Sequence, residues 1–514
     1  MRHTRPLRLA ALASALVAGP LALCAAPAAA VTGTAVTDDS HAFTARLEIG
    51  AGDALRSCSG ALVDAQWVLT AASCFTGGLT ELAVGKPAEK TVATIGRADL
   101  TTTGGHVSEI VELVPHTGRD LVMARLATPA TGITPVAVST APVTAGTALT
   151  AAGYGRTRTE WAPLALHTAS FTADAVAATT LDITGKTPGD AVCKGDTGGP
   201  LLRQVNGVPE LVGVNSRSWQ GGCFGTDAAE TRTGAVAARV DDVSHWVQKT
   251  RLVHGLSNVT DVMTAADFNA DGRTDIAAVL TDGGLHAFYS GPDGTLGYGR
   301  NLWKDNGWKT VKKIVGGDFN GDGNTDIAAI SSTGSLLLYP GTGSTGKLGA
   351  NVKMWPDSSW SGTAPMTRFK TDASGRDGLV VQAADGALLG YVPGPNGVLS
   401  TTTRSMWPDK TWTKKTIGGG DFNLDGRDDI VAVAEDGSLH LYAGNARGTL
   451  DPARSLWPDK SWINMKAVFV GDVDGNGKAD VIARANNNNF FRYSGDGTAL
   501  APARPLWLTT PATS

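Results

Sequence analysis

The sequence predicts an all-β protein in two parts: a sandwich or barrel region, then a propeller of about five blades. Three observations carry this prediction. Residues 31–240 alternate short apolar runs with Gly, Thr and Asp turns, the punctuation of an all-β domain. Trp303, Trp355, Trp407, Trp457 and Trp507 recur every 50 to 52 residues, and a fixed period of that size marks a solenoid or propeller. Glycine supplies 64 of 514 residues and charged residues only 18%, which suits turn-rich sheet better than long charged helices.

The first thirty residues form an export signal. Arg2, Arg5 and Arg8 precede an apolar run from Leu9 to Leu23, and Ala28-Ala29-Ala30 supplies a small-residue cleavage site. The run is short and Gly19-Pro20 interrupts it, so it does not anchor the chain; no later segment is long enough to span a bilayer. The mature N-terminus is expected at residue 30 or 31, and the protein is expected to be secreted and extracellular. Four cysteines then remain: Cys58, Cys74, Cys193 and Cys223. An even number in an exported chain suggests two disulfides, and the sequence alone allows three pairings. The net charge of -4 gives no global basic field for nucleic acid or an anionic membrane. The partners expected are an extracellular protein, peptide or glycan, with no nucleic acid and no membrane span.

One helical stretch, Val240–Leu252, closes the first region. The domain boundary falls at about residues 250–256, giving domains at 31–250 and 256–507. Each later unit holds four short strands, in the fourth unit Lys415–Gly419, Asp429–Ala434, Ser438–Tyr442 and Ala453–Trp457. A lone four-stranded unit cannot bury both faces, so such units stack around an axis.

Aspartate-rich loops punctuate the repeat. Oxygen side chains fall at positions 1, 3, 5 and 9 with Gly at 6. The first loop has Asp267, Asn269, Asp271 and Asp275; the second Asp318, Asn320, Asp322 and Asp326. The fourth has Asp421, Asn423, Asp425 and Asp429; the fifth Asp472, Asp474, Asn476 and Asp480. Alternate residues of a tight turn converge on one centre, Ca²⁺ takes six to eight hard oxygen ligands, and packed carboxylates without a cation repel. Four structural calcium sites are expected. The third unit keeps Asp372 and Asp377 but has Lys370 and no matching series, so no metal is expected there. These loops resemble the FG-GAP repeats of integrin α-chains over residues 256–507. The pairs Trp303/Trp308, Trp355/Trp360, Trp407/Trp412 and Trp457/Trp462 are similar to aromatic pairs of small propeller lectins. At least one member of each pair is expected in the core between blades.

The first region resembles the trypsin-like serine proteases. Cys58-Ser-Gly-Ala-Leu-Val with Trp67-Val-Leu-Thr-Ala-Ala-Ser73-Cys74 is similar to the segment holding the catalytic His. Asp120-Leu-Val-Met-Ala-Arg-Leu is similar to the segment with the catalytic Asp, and Cys193-Lys-Gly-Asp-Thr197-Gly-Gly-Pro to the nucleophile loop. The resemblance implies two packed six-stranded barrels, disulfides Cys58–Cys74 and Cys193–Cys223, and oxyanion donors at the amides of Gly195 and Thr197. It also implies a substrate pocket at Ala191, Ser218, Trp219 and Gln220. A free N-terminus would be expected to pair with Asp196.

The departures decide the functional expectation. Ser73 stands where the family has His, and Thr197 where it has Ser; only Asp120 is kept. A serine hydroxyl has no lone pair basic enough to act as a general base near neutral pH, so Thr197 has no proton acceptor. Nothing in the spacing puts His41, His106, His116 or His167 beside it. A basic residue preference is not implied, because Ala191 occupies the position of the selecting acid. The expectation is a secreted, catalytically impaired protease homologue whose calcium-stapled propeller binds protein or glycan. The alternative is an active serine-type endopeptidase with Thr197 as nucleophile.

Overall fold

The structure, a computed structural model, describes residues 33–76, 82–343, 347–360, 364–371 and 374–507. The expected leader and its cleavage site lie outside the described residues, as does Asp372.

Strict alternation builds the first barrel. Ala45, Leu47 and Ile49 of strand Thr44–Ile49 are fully buried, because successive side chains of a strand point to opposite faces. That strand joins Arg56–Asp64, Trp67–Thr70, Val122–Leu126, His106–Pro115 and Thr91–Ile95 in a closed six-stranded antiparallel barrel. A second six-stranded ring runs Ala148–Gly153, His167–Val176, Thr180–Gly185, Ala235–Arg239, Val208–Ser218 and Pro200–Val205. It closes where Leu201 and Leu202 pair with Ala151 and Thr150. Leu202, Leu211 and Val214 of the second ring pack into the core of the first. Disulfides Cys58–Cys74 and Cys193–Cys223 are both formed.

The helix spans Ser244–Ser257 rather than Val240–Leu252. Val240 still bonds Val212 O at 3.2 Å, which holds it in the barrel and delays the helix. At the other end no Gly or Pro interrupts the turn before Gly255. The expected junction at 250–256 therefore lies within a continuous helix, and the first propeller strand follows it at Val259.

Five four-stranded antiparallel sheets follow, each built from consecutive strands. In the fourth blade they are Thr416–Gly420, Asp429–Val433, Leu439–Tyr442 and Arg454–Ser455. The degenerate third unit is a complete blade, with strands Met366–Phe369, Gly378–Gln382, Leu388–Pro393 and Leu399–Ser405. The ring closes within the chain. Val473, Ile482 and Phe490 of the last blade share a core with Val259, Ile276 and Phe288 of the first, and Arg484 Nη2 donates to Val259 O at 3.1 Å. Among the described residues no strand is exchanged between first and last blades.

The tryptophan pairs belong largely to this packing. Trp308, Trp412 and Trp462 are buried. Trp457 meets Trp462 and Tyr493 edge to face while Trp462 and Tyr493 lie tilted to each other, a triad with ring centroids 4.5 to 6.2 Å apart. Equivalent triads centre on Tyr339, Tyr391 and Tyr442. Each tyrosine belongs to the blade after its tryptophans, so the triads join adjacent blades.

Candidate functional site

Ser73 begins a short helical turn after strand Trp67–Thr70, and Asp120 lies just before strand Val122–Leu126. These two strands are paired, Thr70 opposite Val122, which brings the residues together. Asp120 Oδ1 accepts the N–H of Ser73 at 2.8 Å, and Oδ2 accepts its hydroxyl at 2.9 Å. Ser73 thus occupies the aspartate as an imidazole would, but passes no basic nitrogen onward.

Asp120 Oδ2 also accepts the hydroxyl of Ser216 at 2.6 Å. Sequence reasoning missed Ser216, because the motif Ser218-Trp219 drew attention two residues later. A register irregularity between Asn215 and Arg217 turns Ser216 toward Asp120 and Ser218 elsewhere. An out-of-phase serine in an otherwise alternating strand was the available signal.

Thr197 sits in the expected loop. Gly195 has φ +102, and a Cβ there would meet Gly155 Cα at 2.8 Å, so only glycine fits. Among the described residues neither the Gly195 nor the Thr197 N–H donates to the protein, and the Thr197 hydroxyl has no hydrogen-bond partner. Among the described residues none of the four candidate histidines hydrogen-bonds Thr197. His41 contacts Ser40, His106 the Thr128 carbonyl, and His116 the edge of Trp246. His167 lines a small cavity beside Asp196 and Asn215. The Asp196 carboxylate accepts the N–H groups of Gly155 at 2.7 Å and Cys193 at 2.9 Å, yet burial pushes it up to about 6.

The segments expected to form the pocket are linked by a hydrogen bond. Ser218 Oγ donates to Val192 O at 2.5 Å, tying the strand of Ser218–Gln220 to the loop of Ala191–Cys193. Ala191 is buried. Trp219 is 56% exposed, with the Arg232 guanidinium 3.6 Å above its ring. Gln220 holds φ +62, a conformation glycine adopts without cost.

The aspartate loops share one backbone path. Positions 4 and 6 are left-handed in all four: Ala270 and Gly272, Gly321 and Gly323, Leu424 and Gly426, Gly475 and Gly477. The first aspartate of each loop accepts N–H groups of the turn, as Asp267 does from Asp271 and Gly272. Asp275, Asp326, Asp429 and Asp480 each begin a strand and are fully buried. Burial, reinforced by the neighbouring loop carboxylates, pushes Asp275 up to about 7 and the other three to about 6.

In the fifth loop Asp472, Asp474 and Asp480 bring oxygens within 4.8 Å of one another, and Asp480 Oδ1 is buried without a partner. This donor set fits a hard cation, and Arg492 pairs with Asp474 at 2.8 Å and lies 3.8 Å from Asp480. In the first loop Asp271 pairs with Arg273, and in the fourth Asp425 pairs with Arg427 at 3.1 Å. In the third unit Asp377 pairs instead with Arg368 at 3.4 Å and accepts the N–H of Asp318 at 2.8 Å. No helix among the described residues is long and apolar enough to cross a membrane.

Comparison with known proteins agrees with this geometry. Residues 30–247 match the trypsin family, and residues 267–329 and 421–483 match the FG-GAP-like repeat. The serine protease SP24D of Anopheles gambiae is 28% identical over 240 residues, covering 43% of this chain and 81% of that protein. The chain therefore carries a trypsin domain followed by FG-GAP-like repeats.

Proposed function

We propose that this chain, a trypsin domain joined to an FG-GAP-like propeller, is a secreted protease homologue that binds rather than cleaves. Residues 1–30 are its export signal, residues 31–250 the protease-like domain and residues 256–507 the propeller. The observation that carries this reading is the environment of Asp120: both its oxygens are taken by Ser73 and Ser216, and no imidazole stands between it and Thr197. A triad aspartate acts only through the base it orients. The Ser218–Val192 bond supports the same reading, since it spans the slot a substrate side chain would enter.

The four aspartate loops are calcium sites. Asp267, Asn269, Asp271 and Asp275, with their counterparts in the other three loops, hold the ion. Its charge would stabilise the carboxylates that burial otherwise forces toward protonation. The ligand is an extracellular protein, peptide or glycan.

The test is turnover of a broad peptide library by the purified protein beside Thr197→Ala. Equal rates are expected. Cleavage by the wild type that Thr197→Ala abolishes would establish the opposite reading, a peptidase with Thr197 as nucleophile and a base elsewhere in the domain.

A further inference from the structure

Three of the innermost strands of the propeller carry opposite charges at their two ends. Those of the second, fourth and fifth blades run from a lysine at the start into an aspartate loop at the end. Lysines lie at the starts: Lys313 and Lys466 within their strands, and Lys415 one residue before Thr416–Gly420. Lys415 precedes Asp421 by six residues, about 20 Å along a strand.

At this lysine end a cavity of about 180 Å³ opens on the axis. Lys313, Lys415 and Lys466 line it from three different blades, together with Arg368 and a single carboxylate, Asp261. Arg368 is already paired with Asp377. Asp261 serves two cations at once, Lys466 at 2.7 Å and the buried Arg484 at 3.1 Å. Among the described residues neither Lys313 nor Lys415 forms an ion pair, although Asp409 acts on Lys415, which lies 5.1 Å over the Trp412 ring. Lys313 Nζ donates to Ala364 O at 2.9 Å, and Lys415 Nζ to Thr411 O at 2.7 Å. An ammonium carries three donors, so neither is used up by its one carbonyl bond. Burial pushes both ammonium groups below their usual range. Desolvated cations without counter-charge are costly, and they lie here in a protein of net charge -4.

We propose that this axial mouth binds a small oxyanion: inorganic sulfate or phosphate, or the carboxylate of an acidic sugar. The ligand would accept from Lys313 of the second blade and Lys415 of the fourth, across the axis, with Lys466 freed in part from Asp261. The site rests on the propeller alone. It is independent of whether the protease-like domain cleaves peptides.

Calorimetric titration of the full chain with inorganic sulfate, inorganic phosphate and galacturonate tests it. Saturable binding of at least one is expected, and the tightest of the three identifies the source of the oxyanion. Lys313→Gln combined with Lys415→Gln is expected to weaken that binding by at least about tenfold, the loss of charge-assisted bonds. Lys414→Gln, whose ammonium pairs with Glu435 on the exterior, should bind as wild type. Lysine acetylation footprinting of the unmutated protein covers the case in which the double variant does not fold: the bound anion should protect Lys313 and Lys415 but not Lys414. Absence of saturation by all three anions, unchanged binding in a folded double variant, or no protection at saturation would each overturn the site.

Discussion

At Asp120 the loss of one ring rewires a site without collapsing it. Ser73 keeps the carboxylate bonded through both its N–H and its hydroxyl, and Ser216 adds a third donor. The aspartate is therefore satisfied as a structural group while the proton path to Thr197 is absent. Two separable features support the proposed lack of cleavage: the missing base and the Ser218–Val192 bond. Ser73→His with Thr197→Ser restores an imidazole beside Asp120 and a primary hydroxyl in the loop. That double variant is expected to gain labelling by a small fluorophosphonate, which needs only nucleophile, base and oxyanion donors. Its turnover of peptides should stay near the wild-type level, because Ser218 still bonds Val192 O at 2.5 Å. Efficient peptide cleavage by the variant would show that the slot opens and that the triad alone was limiting.

At the scale of elements, the repeat was the most legible part of the sequence. Four strands per unit, the five units and the aspartate spacing all follow from period and turn chemistry, which are local. What was not legible depended on three-dimensional phase. Ser216 was hidden by a strand irregularity, and the helix limits by the bond that keeps Val240 in the barrel. The left-handed residue at loop position 4 was also missed, since Ala270 and Leu424 there give no glycine signal. That position yields a prediction. Leu424 is 48% exposed at φ +64, and a left-handed L-residue costs about 1–2 kcal/mol. Glycine returns part of that gain as unfolded-chain entropy. Leu424→Gly should therefore stabilise the protein by about 0.5–1 kcal/mol in urea unfolding; a loss of stability would mean that the Leu424 side chain makes a contact of its own. Under the proposed calcium binding, the same loops would set the response to the ion. A site held at a hundred times its dissociation constant adds about 2.7 kcal/mol. Chelation should lower the melting temperature of the wild type, and Asp472→Asn should blunt that response. A melting temperature indifferent to both calcium and chelator would remove the metal from these loops.

Across the whole molecule, the protease-like domain and the propeller meet at a polar seam on the first blade. Asp64 pairs with Arg251 at 2.5 Å, and Gln66 donates to Asp282 at 3.2 Å. His254 reaches Glu112 at 3.0 Å, and the Arg251 guanidinium lies 4.2 Å over Tyr298. The helix Ser244–Ser257 supplies both Arg251 and His254, so it is a strut bonded to barrel and blade rather than a free linker. Within the seam His286 is buried, with Nδ1 3.1 Å from the Tyr298 hydroxyl and Nε2 unpartnered. Asp64 and Asp282 pull its proton affinity up, while Arg251 and His254 oppose them; burial dominates and holds it down at about 4. The unfolded chain takes up that proton near pH 6.5, whereas the folded chain resists it until about 4. Stability from this residue is therefore complete above pH 6.5 and falls as pH drops from 6.5 toward 4. Between pH 7 and pH 5 the loss should be about 2 kcal/mol. His286→Gln can keep a bond to Tyr298 but does not titrate, so its urea midpoint should fall less over the same interval. If both proteins lose stability equally between pH 7 and pH 5, the acid sensitivity of the seam arises from other groups.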